Sequence, residues 1–320
     1  FGNMIFMNKA IKHISVASTL LLAGMHAFNL ITDQCLIPVT STKNNKTFQW
    51  RSLHINYSEK GNENNPALLL LHNLSPSSSQ EEWYRTDDSL ADRFHIFKID
   101  LPGCGRSDKP NIIYINYMYV QLINDFIKEV IKKKTILCAT EYASSATLMA
   151  ARIYPEMIDK VILISPPPID ELIKPASKKE KITDKILAAP IIGTFLYNCI
   201  MNKENILDQY TYDYFYNKIN IPEKALDIAY FNAHYNHSNG RYLYGSILSN
   251  YTNINIIHAL PKIQRAVYFI SHEHRKPICQ EYKKYNPAIH EIYVKNCRKL
   301  PQLEIPETIC QHICDIAFSA

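Results

Sequence analysis

The stretch DLPGCGRSD, Asp100–Asp108, decides how this chain is expected to fold. It continues directly from His95–Asp100, which we expect to be a strand of the same buried sheet as the unbroken apolar run Ala67–Leu71. We therefore expect a buried strand that ends in this turn, which contains proline and glycine. Similar runs on both sides of it determine the rest of the predicted sheet.

Short apolar runs with the character of buried strands recur along the chain on both sides of this turn. Helical segments lie between the earlier runs. Alternation of strands and helices implies right-handed crossovers and a mostly parallel sheet with helices on both faces, which is an α/β fold. The predicted strands are Phe48–Tyr57, Ala67–Leu71, His95–Asp100, Thr135–Ala139, Val161–Ser165, Ala266–Ile270 and His290–Val294, and the predicted helices are Glu81–Arg93, Tyr114–Ile131, Ala143–Ile153 and Pro306–Phe318.

The alternation is interrupted after Pro168. Residues 169–253 contain no convincing strand, and their helical stretches are rich in tyrosine. A helical insertion between two halves of a sheet is typical of a lid. The predicted organisation is therefore a first half of the core at 48–168, a lid at 169–253 and a second half of the core at 254–320.

An apolar segment, Ile14–Ile31, lies near the N-terminus and contains no Asp, Glu, Lys or Arg. Eighteen helical residues reach about 27 Å, close to the thickness of the bilayer hydrocarbon. Residues 1–32 are thus predicted to be a membrane anchor, and Lys9 and Lys12 before it favour an extracytoplasmic domain. A cleaved signal peptide, leading to secretion, and a helix packed on the domain are the alternatives. Residues 33–47 are polar and predict a linker.

Composition argues against several other classes of protein. Hydrophobic residues make up 47% and charged residues 20% of the chain, as in an ordinary globular protein. The net charge of +5 is spread thinly, and the basic run Lys132–Lys134 has no aromatic residues interleaved with it, so we expect no nucleic-acid partner. The eight cysteines are scattered, so we expect no metal site and no cofactor.

Four stretches together resemble the α/β-hydrolase superfamily. This resemblance implies that family's fold, in a lid-containing branch similar to esterases and dehalogenases. The whole chain is also similar to N-terminally anchored α/β-hydrolase-like proteins of low-GC gut bacteria. The four stretches are the strand and turn at Leu68–Asn73, the turn Asp100–Pro110, the helix end Ala150–Glu156 and the C-terminal segment Leu300–Glu307.

The resemblance implies a serine nucleophile in a G-x-S-x-G turn after a strand. The family's nucleophile lies about fourteen residues before the proline that corresponds to Pro155, which places Glu141 in that position. Glu141 then has three interpretations: a carboxylate that stabilises the start of the next helix, a carboxylate nucleophile, or a group that binds a ligand. Ser144 and Ser145 are expected to begin the helix.

The other two members of the family's Ser–acid–His triad have also changed. His274 aligns with the acid, and Glu273 beside it is the alternative acid. Lys299 stands at the position of the catalytic histidine. An ordinary lysine is protonated at neutral pH and cannot accept a proton from a serine hydroxyl. We therefore predict an ion pair between Glu141 and Lys299 across the site.

The oxyanion loop of the family corresponds to His72 and Asn73, and its second amide to Tyr142. His72 is expected to orient the loop, and Asn73 places a side chain where glycine is usual. The sequence predicts a membrane-tethered protein with a degenerate triad, which binds a small or lipid-like ligand or a partner in the lid cleft. The alternatives are a hydrolase of carboxylic esters or similar acyl bonds with altered catalytic residues, and an interaction module with a filled pocket.

Overall fold

A computed structural model describes residues 2–39, 45–176 and 178–319. Eight strands form one mixed sheet in the order β1-β2-β4-β3-β5-β6-β7-β8. Pairing from β4 to β8 is parallel, and β1 and β2 add an antiparallel edge. The strands are β1 Asn45–Trp50, β2 Leu53–Lys60, β3 Ala67–Leu71, β4 His95–Ile99, β5 Thr135–Thr140, β6 Ile158–Ile164, β7 Ala266–His272 and β8 His290–Val294.

Helices cover both faces of the sheet, as predicted. The α-helices in the described part of the chain are α1 Gly2–Gln34, α2 Asp87–Ala91, α3 Asn116–Phe126, α4 Ala143–Ile153, α5 Ile169–Leu172, α6 Lys178–Ala188, α7 Pro190–Ile200, α8 Lys203–Gln209, α9 Glu223–Ser238, α10 Gly240–Leu248, α11 Lys276–Tyr285, α12 Pro301–Glu304 and α13 Pro306–Phe318. The prediction of an α/β fold with a mostly parallel sheet is confirmed.

The unbroken apolar run in β3 reflects burial on both faces. Leu69 and Leu71 pack into one core with α3, α4 and α11, whereas Leu68 and Leu70 pack into a second core with α2 and α13. Alternate side chains of a strand point to opposite faces, so a strand between two helical layers is apolar at every position.

Two predicted elements differ from those in the structure. Phe48–Tyr57 was expected to be one strand, but the chain turns at Arg51, whose φ is 55°, and forms the hairpin of β1 and β2. Arg51 makes this turn without glycine, so nothing in the local composition marks it. The predicted helix Glu81–Arg93 is a 3₁₀ turn, Gln80–Trp83, followed by the short α2. The predicted linker overlaps β1 from Asn45, and residues 40–44 lie outside the described part of the chain.

The segment after Pro168, where the alternation of predicted strands and helices is interrupted, is helical in the structure. Residues 165–176 and 178–265, between β6 and β7, contain no strand, and α5 to α10 occupy them. These helices form the insertion, which follows β6 and precedes β7 in the sequence although the two strands are paired in the sheet. That the insertion acts as a lid stays a prediction.

The turn after β4 is held together by the carboxylate of Asp100. Its oxygens accept hydrogen bonds from the backbone of Gln80 at 2.7 Å, from Asn56 Nδ2 at 2.6 Å and from the backbone of Arg106 at 2.9 Å. Gly105 has a φ of 47°, and a Cβ there would lie 2.3 Å from the Asp100 carboxyl carbon. This turn therefore joins β2, β4 and the 3₁₀ turn Gln80–Trp83 that precedes β4, and its role is structural.

Replacing Asp100 with asparagine is expected to lower the free energy of unfolding by about 2–4 kcal/mol. The NH₂ group of the asparagine replaces one carboxylate oxygen, so the N–H groups that donated to that oxygen lose their acceptor. Urea titration of the full chain in detergent measures this. Asp92→Asn is the control, since Asp92 is exposed at the end of α2, and a change within about 0.5 kcal/mol is expected there. Equal effects of the two changes would contradict a structural role of Asp100.

Candidate active site

Glu141 lies in a sharp turn between β5 and α4. Its φ is 45°, a left-handed conformation that is strained for a residue with a side chain. Its backbone N–H donates to the carbonyl of Ile164 at 3.0 Å, which ties the turn to the end of β6. Ala139 and Ala143 on either side are buried. The turn therefore projects a single residue, Glu141, at the carboxyl end of the sheet.

The carboxylate of Glu141 is buried between two cationic side chains. Only 4% of the side chain is exposed, and its oxygens lie 3.8 Å from Lys299 Nζ and 4.0 Å from Arg275 Nη2. The structure thus brings Glu141 and Lys299 together as an ion pair. Both distances exceed a hydrogen bond, and Oε1 has no hydrogen-bond partner. Burial raises the pKa of Glu141 to about 7, because desolvation outweighs the opposing effects of Lys299 and Arg275.

Arg275, which the sequence did not single out, supplies the second cation. It ends a 3₁₀ turn, Glu273–Arg275, that follows β7. Its Nη2 also donates to the carbonyls of Ser165 at 3.1 Å and Pro166 at 2.6 Å. Arg275 therefore joins the loop after β6 to the turn after β7, next to Glu141.

The two residues expected at the acid position do not contact Glu141. Glu273 is exposed, and its carboxylate lies 3.8 Å from Lys295 Nζ. His274 is also exposed, and its ring centroid lies 4.6 Å from that of His272. The 3₁₀ turn explains this difference, because its tight winding directs the third residue, Arg275, toward the sheet. The assignment of His274, or of Glu273 beside it, to the acid position stays a prediction.

His72 has a structural role in the loop after β3. Its Nδ1 bonds the carbonyl of Asn73 at 2.7 Å, and its Nε2 accepts the backbone N–H of Leu101 at 2.9 Å. These partners assign the proton to Nδ1, since Nε2 is the acceptor. Both ring nitrogens are therefore engaged, and the loop is fixed to the turn after β4.

The side chain of Asn73 accepts a hydrogen bond from the backbone amide of Tyr142, the residue after Glu141. The N–H of Tyr142 donates to Asn73 Oδ1 at 3.3 Å, while the N–H of Asn73 donates to Glu82 Oε2 at 3.0 Å. The same oxygen of Glu82 accepts from Thr140 Oγ1 at 3.1 Å. An amide that would stabilise an oxyanion must point at the reacting atom. Here that amide is already bonded to a side chain of the protein.

Tyr142 and Ser145 are also hydrogen-bonded inside the protein, whereas the buried Ser144 Oγ has no hydrogen-bond partner. The Tyr142 hydroxyl donates to Glu171 Oε2 at 2.7 Å, a contact between the turn and the insertion. Burial and this hydrogen bond raise the pKa of Tyr142. Ser145 Oγ donates to the carbonyl of Tyr142 at 2.9 Å, and Ser144 is buried in the first turn of α4. Both serines begin the helix.

Little space is left inside the site. A cavity of about 10 Å³ lies beside Tyr142, and another of about 10 Å³ lies next to Glu82. Each has room for about one water molecule. An open pocket of about 340 Å³ lies outside Lys299, and we call it the mouth pocket. It is lined by Tyr212, Tyr216, His272, Arg275, Arg298 and Lys299, together with Asp213 and His274.

The walls of the mouth pocket are held by a buried carboxylate. Glu304 Oε1 accepts the backbone N–H of Tyr216 at 2.9 Å, and its Oε2 accepts that of Arg298 at 3.1 Å. The side chain of Arg298 also donates to the carbonyl of Tyr212. The C-terminal loop and the insertion therefore meet in a fixed arrangement. Within residues 2–39, 45–176 and 178–319, no group of three His, Cys, Asp or Glu side chains is placed to hold a metal ion.

Comparison with known proteins identifies the fold. A family model described as alpha/beta hydrolase fold matches residues 66–192. The crystal structure of a membrane phospholipase A, described as a bacterial virulence factor, is similar over 97% of this chain and 96% of its own, with 20% identity and a TM-score of 0.66. The chain therefore has the α/β-hydrolase fold. An epoxide hydrolase, CorEH, has the same fold, with 16% identity over 85% of this chain and 97% of its own and a TM-score of 0.68.

Among curated proteins, an uncharacterized protein of Mycobacterium tuberculosis is 28% identical over 100 residues. That match covers 31% of this chain and 29% of the relative, so it spans less than a third of the relative's length. The predicted resemblance to the α/β-hydrolase superfamily is confirmed by the family model that matches residues 66–192. The narrower branch, and the assignment of Glu141, His274 and Lys299 to the triad positions of the α/β-hydrolase fold, stay predictions.

The raised pKa of Glu141 predicts a specific dependence of stability on pH. Between about pH 4.5 and pH 7 the native state holds more protons than the unfolded chain, so the free energy of unfolding falls as pH rises through this range. Glu141→Gln removes this contribution. Relative to wild type, the variant is therefore expected to gain about 2–3 kcal/mol between pH 5 and pH 8.

Urea titrations at the two pH values measure this difference. Glu273→Gln is the matched control, since it removes an exposed carboxylate from the same region. Its stability is expected to follow that of wild type at both pH values. A Glu141→Gln variant that also follows wild type would show that Glu141 does not titrate in this range.

Proposed function

We propose that this protein is a membrane-tethered member of the α/β-hydrolase superfamily that binds a ligand or partner without hydrolysing it. The observation that carries the proposal is the occupation of the Tyr142 amide by Asn73, next to a Glu141 paired with Lys299. The first removes a donor for a developing oxyanion, and the second replaces a nucleophile and its base by an ion pair.

Hydrolysis at the turn that contains Glu141 would lack the base and the oxyanion donor that this fold usually supplies. In this fold a serine is activated by a histidine base, whereas a protonated lysine has no free pair with which to accept a proton. Loss of one oxyanion donor alone costs about 10²–10³ in rate. The cavities beside Tyr142 and Glu82 hold about one water each. An acyl group would therefore have to displace protein side chains before it reached the carboxylate.

The volumes of the cavities and of the mouth pocket indicate where a ligand binds. Pockets for small molecules are typically about 300–1,000 Å³, far larger than the cavities under the insertion. The mouth pocket, at about 340 Å³, is within that range. It combines the cations Arg275, Arg298 and Lys299 with the rings of Tyr212 and Tyr216. We therefore place binding at the mouth pocket, outside Lys299, and not in the interior of the lid cleft.

Tethering is supported by α1. Its segment His13–Gln34 has a mean hydropathy of 1.6 over its most apolar window, none of which is buried, so it is long and apolar enough to be a membrane anchor or a signal sequence. We favour the anchor. The lysines that precede the segment favour a domain outside the cytoplasm. Secretion after cleavage is the alternative.

A second candidate function is hydrolysis with Glu141 as the nucleophile. Its position in the strained turn after β5, where this fold holds a nucleophile, favours this candidate. A carboxylate can attack to form a covalent ester or anhydride, which water then cleaves. The two candidates make opposite predictions for turnover and for isotope incorporation.

The full chain in detergent is expected to show the same rate as its Glu141→Ala variant on a panel of short-chain and long-chain esters, because the site has no free nucleophile. Incubation with these esters in H₂¹⁸O is expected to leave the Glu141 carboxylate unlabelled, as measured by mass spectrometry of the peptide that contains it. Glu273→Ala serves as the matched control. Turnover that disappears only in Glu141→Ala, or ¹⁸O in Glu141, would establish the second candidate and contradict the first.

A further inference from the structure

Helix α7 exposes an apolar stripe that the core does not use. Its sequence, PIIGTFLYNCI, contains no charged residue. Ile192, Leu196 and Ile200 follow one another at intervals of four, on one face of the helix, and are 44%, 38% and 38% exposed. Cys199 is exposed on the same side. Apolar residues this regularly spaced on an exposed helix indicate a surface that is covered by something apolar.

The opposite side of α7 is fixed to α1. Asn29 Nδ2 donates to the carbonyl of Ile191 at 3.1 Å, and Asn198 Nδ2 donates to Asn29 Oδ1 at 3.1 Å. The rings of Phe28 and Phe195 meet edge to face, 5.4 Å apart. Polar and aromatic contacts therefore hold α7 in one position relative to the apolar helix.

The position of this contact along α1 determines how deep α7 lies in a membrane that α1 crosses. Asn29 lies five residues before Gln34, the end of the apolar segment, which is about 7.5 Å along a helix. If α1 crosses a bilayer, its contact with α7 falls within the outer edge of the membrane. Helix α7 has 11 residues, about 16 Å, and is too short to cross. One helical turn further along α1, the Asp33 carboxylate lies 2.8 Å from His237 Nδ1. This polar contact marks the water-facing side of the boundary between membrane and solvent.

Helix α6 packs against α7 and has a different composition. Ile182 and Ile186 are exposed, and Lys181 and Lys185 beside them are exposed as well. Neighbouring apolar and basic side chains are typical of helices that lie in the interface of a membrane, where lysines meet anionic headgroups. A protein partner is not needed to explain either helix.

We propose that α7 lies in the interface of the membrane that α1 crosses, on the side of the folded domain. Ile192, Leu196 and Ile200 enter the acyl boundary, and Lys181 and Lys185 of α6 reach the headgroups. The proposal rests on the tethering part of the proposed function. It adds that the insertion is itself a membrane-contacting element, so that the domain is held by two contacts and keeps one orientation.

Cys199 provides a native site for the test. Two other cysteines are accessible, Cys35 and Cys314, and they are changed to serine; the rest are buried. The full chain is placed in vesicles that contain anionic lipid, and a nitroxide is attached to Cys199. Its collisions with oxygen, which concentrates in lipid, are compared with those of a water-soluble nickel chelate. The control carries the label at Ile219→Cys with Cys199→Ser, since Ile219 is 90% exposed elsewhere in the insertion.

The ratio of oxygen to nickel collisions is expected to be about fivefold or more higher at Cys199 than at Ile219→Cys, because the first label lies in the acyl boundary. Equal ratios in protein that floats with the vesicles would overturn the proposal and leave the tether intact. Broadening between labels on two copies, with both reagents excluded, would overturn it by showing a second copy on α7. A chain that does not float with the vesicles would refute the tether, and the proposal with it.

Discussion

The buried carboxylate of Glu141 is the interaction on which the rest of the site depends. It stands on a strained turn after β5 and is approached by Lys299 from the C-terminal loop and by Arg275 from the turn after β7. Three segments that are distant in sequence therefore converge on one charge. Because the distances are longer than hydrogen bonds, the cations compensate only part of the cost of burial, and the pKa of Glu141 rises to about 7.

The scaffold and the chemistry of this fold depend on different residues. The turn at Asp100 is built from hydrogen bonds to backbone groups, and the ring of His72 bonds two backbone groups. None of these contacts requires a reactive nucleophile. A chain can therefore keep the signatures of the α/β-hydrolase fold with an ion pair between Glu141 and Lys299 beyond the end of β5. Asn73 fits the same pattern, since it bonds the amide that catalysis would need to leave open.

The sheet could be predicted from the sequence because buried parallel strands are apolar at every position, as at Ala67–Leu71. Glu141 and Lys299 could be located by counting from neighbouring motifs, and their contact followed from the fold. Arg275 could not, because the 3₁₀ turn that directs it inward is a matter of local winding, and the motif pointed to the residue before it. The contact of Asn73 with Tyr142 depends on side-chain position, which a motif does not specify. The hairpin at Arg51 has no glycine to mark it.

The most direct test of this account is a double-mutant cycle between Glu141→Gln and Lys299→Met, measured as free energies of unfolding. At pH 8, where Glu141 is mostly ionised, we expect a coupling of about 0.5–1.5 kcal/mol between the two positions. At pH 5, where the native carboxyl is protonated, the coupling should vanish. Additive effects at pH 8 would contradict the claim that Glu141 and Lys299 close the site as an ion pair.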